Sequence, residues 1–180
     1  AILFNTGAIE RQGKVDDGNT VMDYDSEEIA RKMSLSLSVA SVVWGNTKIN
    51  IIDVPGFLDF SGEETSALTA CGGAILVMDA NGQITVGAER TIEYCLKRRK
   101  PMIVFINGMD KDNADYAGTV SALREKYGKK LAPIQAPIME KGKMQGYVSL
   151  ISGKAFEFIE NGRKQIEDPE NMRDDEVVMR

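Results

Sequence analysis

Gly73-Ala-Ile-Leu-Val-Met-Asp79 and Met102-Ile-Val-Phe-Ile-Asn107 are short apolar runs bounded by glycine, proline and polar residues. Their length suits strands, and their lack of alternation suits strands covered on both faces. Between them Ala88, Ile92, Cys95 and Leu96 recur at the spacing that gives a helix one apolar face. Strand, helix and strand in that order make a βαβ unit, whose crossover sets the two strands parallel in one sheet. The fold class read from this stretch is α/β: a mostly parallel, doubly wound sheet with helices on both faces.

Working outward, Tyr116, Val120, Leu123 and Tyr127 stripe a further helix ended by Gly128, and the proline-bounded run Ala132 to Met139 is expected to close the sheet. Upstream, Ser61-Gly-Glu-Glu64 has the spacing of a capping box and opens a helix running to Cys71. Leu35 to Trp44 and Lys48 to Asp53 flank Gly45-Asn46 and predict an antiparallel hairpin, with Trp44 packed on it. From Ile9 to Lys32 the chain is polar and without apolar period, longer than loops in compact domains usually are, which marks a functional or mobile segment. Ala1 to Phe4 reads as the last turn of a helix terminated by Gly7. Past Gly142 the pattern weakens; residues 160–180 carry seven acids and four bases, and a solvated edge or part of a subdomain is expected there.

The 180 residues, 43% apolar and 27% charged, suffice for one globular core. A net charge of -5 and a pI near 4.9 disfavour a reader of duplex DNA that works by neutralising phosphates. Histidine is absent, so Ser-His, Cys-His and His-metal catalysis are excluded in this chain. Cys71 and Cys95 are read as small core residues of a reducing compartment. No run approaches the roughly 20 apolar residues that span a bilayer, and no signal peptide opens the sequence, so no membrane partner and a cytoplasmic location are expected.

Ligands of such sheets sit beyond the carboxyl ends of the strands. Asp53-Val54-Pro55-Gly56 follows the apolar run Ile49 to Ile52, where a carboxylate can hold Mg²⁺, usually through water, and an unobstructed glycine N–H can meet a terminal phosphate. Asn107-Gly108-Met109-Asp110 ends a second strand; an Asp carboxylate accepts both the ring N–H and the exocyclic amine of guanine, which adenine does not offer. Ser34, nineteen residues before Asp53, has a hydroxyl able to complete a Mg²⁺ shell when a loop folds over phosphates. Alone, the first motif reads sooner as a strand-ending acid with a turn glycine and the second as an Asn-Gly turn with a surface acid, while Ser34 reads equally as a strand-face serine; the two motifs at two strand tips together favour a guanine nucleotide. Lys97-Arg-Arg-Lys100 reads first as favourable charge at a helix C-terminus, with an RNA contact as the alternative.

At these residues the chain resembles elongation factor G, a GTPase of bacterial translation. The resemblance runs through Thr6-Gly-Ala-Ile-Glu-Arg-Gln-Gly-Lys-Val15, Met22-Asp23-Tyr24, Asn50-Ile-Ile-Asp-Val-Pro-Gly56, Asp59-Phe60, Val104-Phe-Ile-Asn-Gly-Met-Asp-Lys111 and Ala132-Pro-Ile-Gln-Ala-Pro-Ile138. It implies a partial GTPase domain of the P-loop NTPase kind over residues 1–139, with switch I at about 9–40 and switch II at about 53–65, and the start of an insertion subdomain over 140–180. It also implies GTP/GDP and Mg²⁺ as cofactors, with Asp53 to Phe57 as the phosphate and Mg²⁺ switch, Ser34 at a threonine position, Asn107 to Asp110 as the base-reading loop, and the ribosome as partner.

Three departures stand out. Phe57 replaces the histidine that orients the attacking water, and a phenyl ring neither donates nor accepts the required hydrogen bond, so no residue is assigned as catalytic base. Gly108 replaces a lysine whose stem packs on the purine. Ser34 keeps its hydroxyl. No Gly-x-x-x-x-Gly-Lys-Ser/Thr occurs in the 180 residues, so the strand and loop that cradle phosphates are lacking and the isolated chain is expected to show no measurable GTPase. The first functional reading is a fragment of an elongation factor G-like GTPase that drives ribosomal translocation; the alternative is a hydrolysis-deficient paralogue acting as a ribosome- or partner-binding module. A phosphate-free α/β domain of the receiver type would require all these spacings to be accidental.

Overall fold

The computed structural model describes residues 1–140, 142–160 and 162–166. The chain divides into two compact units, Ala1–Ala74 with Glu93–Met102, and Ile75–Ile92 with Ile103–Arg180.

In the first unit a short helix α1 (Ile2–Asn5) ends as expected, with Gly7 at φ 71°. The polar segment contains a helix that apolar periodicity does not signal, α2 (Ser26–Arg31). A capping box forms it: the Asp25 carboxylate accepts the Glu27 N–H at 2.8 Å, and Glu28 accepts the Asp25 N–H at 3.2 Å. The hairpin follows as β1 (Ser38–Trp44) and β2 (Thr47–Asp53), in register from Ser38 opposite Asp53 to Trp44 opposite Thr47, with Gly45 turning at φ 57°. Trp44 remains 63% exposed, so it does not pack on the hairpin.

A 3-10 turn, Leu58–Phe60, leads into α3 (Ser61–Ala70). Because that turn carries the helix start back to Phe60, Ser61 lies inside the helix and the expected capping box does not form. Glu63 instead accepts the Leu37 N–H at 2.9 Å.

The crossover unit is β3 (Ala74–Asp79), α4 (Val86–Arg98) and β4 (Met102–Asn107). The Ala74 N–H donates to Pro101 and the Ala80 N–H to Asn107, each at 2.9 Å, so the partners advance together and the strands run parallel. One face is half-buried or buried, down to Met78 at 6% exposure. The other leaves Ile75, Val77, Ile103 and Phe105 more than half exposed.

In α4, Ala88, Ile92 and Cys95 are buried, as their spacing predicts. Helix α5 (Tyr116–Tyr127) buries Thr119, Val120 and Leu123, and its Lys126 pairs with Glu89 of α4. Asp115 caps α5, accepting the Gly118 N–H at 2.8 Å. Arg98 sits 5.3 Å over the Tyr94 ring, and the Lys100 ammonium donates to the Cys71 carbonyl after α3. These contacts fit the helix-end reading of the basic run.

The run expected to close the parallel sheet instead opens a separate antiparallel sheet. Its order is β5 (Gln135–Glu140), β6 (Lys143–Ser149), β7 (Lys154–Ile159) and β8 (Gly162–Ile166). The weak pattern past Gly142 therefore hides three strands. Backbone ladders join them, and Tyr147 stacks on Phe156 at 5.2 Å with Arg163 over both rings. Residues 167–180, where much of the acidic run lies, are outside the described residues. Both cysteines are free, Cys95 buried and Cys71 half-buried, and burial pushes the Cys95 thiol up. Among the described residues no helix is long and apolar enough to cross a membrane.

Candidate functional site

Strand β2 carries Asp53 to its end, directly opposite Ser38 of β1. The side chain still reaches solvent. Partial burial and then the charge of Asp23, with a smaller push from Glu28, raise its carboxyl above the ordinary range, against a backbone hydrogen bond at Val54.

The Ser34 hydroxyl donates to the Asp23 carboxylate at 2.6 Å, and the Thr20 hydroxyl donates to its other oxygen at 3.0 Å. Asp23, noted in the sequence only as part of a motif, thus accepts from the predicted Ser34, and its charge acts on Asp53.

Glu28 organises the segment around them. It is 2% exposed, and one carboxylate oxygen accepts the Leu35 and Ser36 N–H groups at 2.9 and 3.1 Å. These bonds, led by Leu35, hold its carboxyl below the usual range although burial acts the other way. The Asp25-x-x-Glu28 spacing is a capping signature legible in the sequence; the reach of Glu28 to Leu35 and of Glu63 to Leu37 is not.

After Asp53 the chain passes half-buried Val54 and buried Pro55 to exposed Gly56, which has nothing within 4 Å of where a Cβ would stand. Its backbone is open to an approaching ligand. Phe57, 58% exposed, precedes the 3-10 turn and accepts the Phe60 N–H at 3.0 Å through its carbonyl.

In the second unit Asn107 ends β4 and is exposed, as is Asp110, while Gly108 is buried and Met109 half-buried. Gly108 takes φ 75°, and its carbonyl accepts the Lys111 N–H at 3.1 Å, closing a tight turn. The Asn107 carbonyl accepts the Ala80 N–H, and the Ala80 carbonyl accepts the Asp115 N–H at 2.6 Å, so the ends of β3 and β4 and the start of α5 are tied together. Buried Thr119 adds a bond, its hydroxyl accepting the Gly82 N–H at 2.9 Å. Asp79 pairs with Lys111 at 2.9 Å.

The donors around Ser34 and Asp53 are all oxygens, suited to a hard cation. Among the described residues no three acids, histidines or cysteines gather to hold a metal. Hydroxyl and carboxylate oxygens of this kind suit Mg²⁺ by their chemistry.

The family described as "Elongation factor Tu GTP binding domain" matches residues 1–170. Elongation factor G of Mycoplasma pneumoniae and that of Mycoplasma genitalium are each 34% identical to this chain over 164 residues, which is 91% of this chain and 24% of theirs. The chain thus spans about a quarter of the length of these curated relatives. The crystal structure of a Thermus thermophilus protein, titled only by the label ttk003000868, is similar with a TM-score of 0.87 and 31% identity, covering 95% of this chain and 26% of the other.

Proposed function

This chain belongs to the elongation factor Tu GTP-binding domain family, and from that membership we propose that it is part of an elongation factor G-like GTPase that binds GTP and GDP with Mg²⁺ in the cytoplasm. Residues 1–139 are the partial GTP-binding domain and 140–180 the start of an insertion. The observation that carries the reading is the Asn107–Asp110 turn, tied to its neighbours by backbone bonds and leaving the Asp110 carboxylate exposed at the carboxyl end of a parallel strand.

Asp110 accepts the ring N–H and exocyclic amine of guanine, and Asn107 holds the loop and meets the purine edge. Gly56 offers its N–H to the terminal phosphate, between Asp53 and the Phe57 turn. Ser34 and Asp53 would hold Mg²⁺, which would neutralise phosphate oxygens. Hydrolysis and ribosome engagement, with movement of tRNA and mRNA, belong to the longer protein, and the isolated 180 residues have no measurable GTPase.

Phe57 favours a second reading. An exposed phenyl at the position that orients water supports a paralogue that binds nucleotide and a partner without turnover. Fluorescent GTP and GDP titration, with ribosome-stimulated phosphate release from the full-length gene product, separates the readings. Micromolar binding with turnover supports the GTPase. Binding without turnover, unaltered by Phe57→His, supports the module, and no binding rejects both.

A further inference from the structure

Resting on the guanine reading above, we infer that Lys111 supplies the apolar surface that Gly108 lacks: its methylene stem is the face on which the base packs, held in place by Asp79. A Cβ at Gly108 would stand 3.1 Å from Lys111 Cε, 3.2 Å from Cδ and 3.4 Å from Asp79 Oδ1. The space over the glycine is therefore filled by a stem arriving from three residues further on. The Gly108 φ of 75° and the Lys111 N–H bond to the Gly108 carbonyl fold Lys111 back over the turn. Asp79 Oδ1 then takes the ammonium at 2.9 Å, fixing the far end of the stem.

Both side chains of the pair are 55% exposed. Such a pair adds little to stability, because water screens it and two long side chains lose freedom. What it does provide is position. A lysine stem covers a flat apolar ring well while its charged head stays hydrated or paired. Lys111 directly follows Asp110 and is bonded through its N–H to Gly108, next to Asn107 in the chain, so one loop supplies both the edge contacts and the face.

The test is titration of fluorescent GDP into the full-length gene product and its variants, with thermal unfolding followed in parallel. Lys111→Ala is expected to weaken GDP binding about tenfold, which corresponds to about 1.4 kcal/mol, with little change in the unfolding midpoint. Lys111→Met, which keeps the stem and removes the charge, is expected to stay within about threefold of the parent. Asp79→Asn should fall between the two. Unchanged binding by Lys111→Ala, with binding lost on Asp110→Ala, overturns the inference while leaving the guanine reading intact. Equal losses for Lys111→Ala and Lys111→Met overturn the packing role in favour of the charge. A parent protein that binds no guanine nucleotide overturns the proposed function itself.

Discussion

The end of β2 and the end of β4 solve opposite electrostatic problems. Around Asp53 partial burial, followed by the charge of Asp23 and a smaller push from Glu28, raises the carboxyl above its ordinary range. At the end of β4 the Asp79 carboxylate has Lys111 against it, and backbone bonds from Ala80 and Asp115 close the loop. In the first region the acids are held by backbone N–H and hydroxyl donors; in the second an ion pair faces the acid. A ligand at the second meets a loop already formed.

The largest expected effect breaks the first region. Glu28→Ala leaves the N–H groups of Asp25, Leu35 and Ser36 without their acceptor in a buried place, and should cost about 2–4 kcal/mol in urea unfolding at neutral pH. Its carboxyl is lowered in the folded state from an ordinary 4.5. The stability it contributes is therefore fully present above about pH 4.5 and lost as pH falls through the folded value, so the wild-type and variant midpoints should converge in acid.

Asp115→Ala tests the second region. Removal of the α5 cap should cost about 1 kcal/mol, read as a lower unfolding midpoint. Little change would mean that the β3–β4 end does not depend on the cap.

Asp79→Asn should alter unfolding by less than about 1 kcal/mol, as for exposed pairs generally. A larger loss would mean that the turn depends on the pair for its conformation.

Asp53→Asn has the smallest effect on stability, and of opposite sign. A raised carboxyl takes up protons more readily folded than unfolded, so the folded state loses stability as pH rises from the ordinary value through the raised one. Removing the charge should stabilise the protein at neutral pH by no more than about 0.5 kcal/mol, because solvent screens an exposed carboxylate. Mg²⁺-dependent GTP affinity of the full-length product should fall at the same time.

What was legible in the sequence has a common physical character. The β1–β2 hairpin, α4 and α5 announce themselves through period and turn residues, since one covered face imposes its spacing on the chain. The strand ends at Asp53 and Asn107 follow from those elements. Helix α2 has no such face and rests on a capping box, so apolar periodicity passes over it. The strands β6 to β8 are joined by backbone ladders, and the polar content of Lys143–Ser149 and Gly162–Ile166 leaves period-2 counting little to detect. Glu28, Glu63 and Lys111 act on partners fixed only by the folded backbone: Leu35 and Ser36, Leu37, and the space above Gly108. Residue type and spacing cannot reveal a side chain that crosses to another segment or fills the room a glycine leaves.

The central claim is that the turn after β4 reads guanine, and a swap of base preference tests it most directly. Asparagine at position 110 would present an amide donor where guanine needs an acceptor, and that donor suits the 2-oxo group of xanthine. Competition titrations on the full-length gene product should show that Asp110→Asn weakens GDP binding and strengthens binding of xanthosine diphosphate. Equal affinity of the parent for GDP, ADP and xanthosine diphosphate, or no change in preference on Asp110→Asn, would contradict the account.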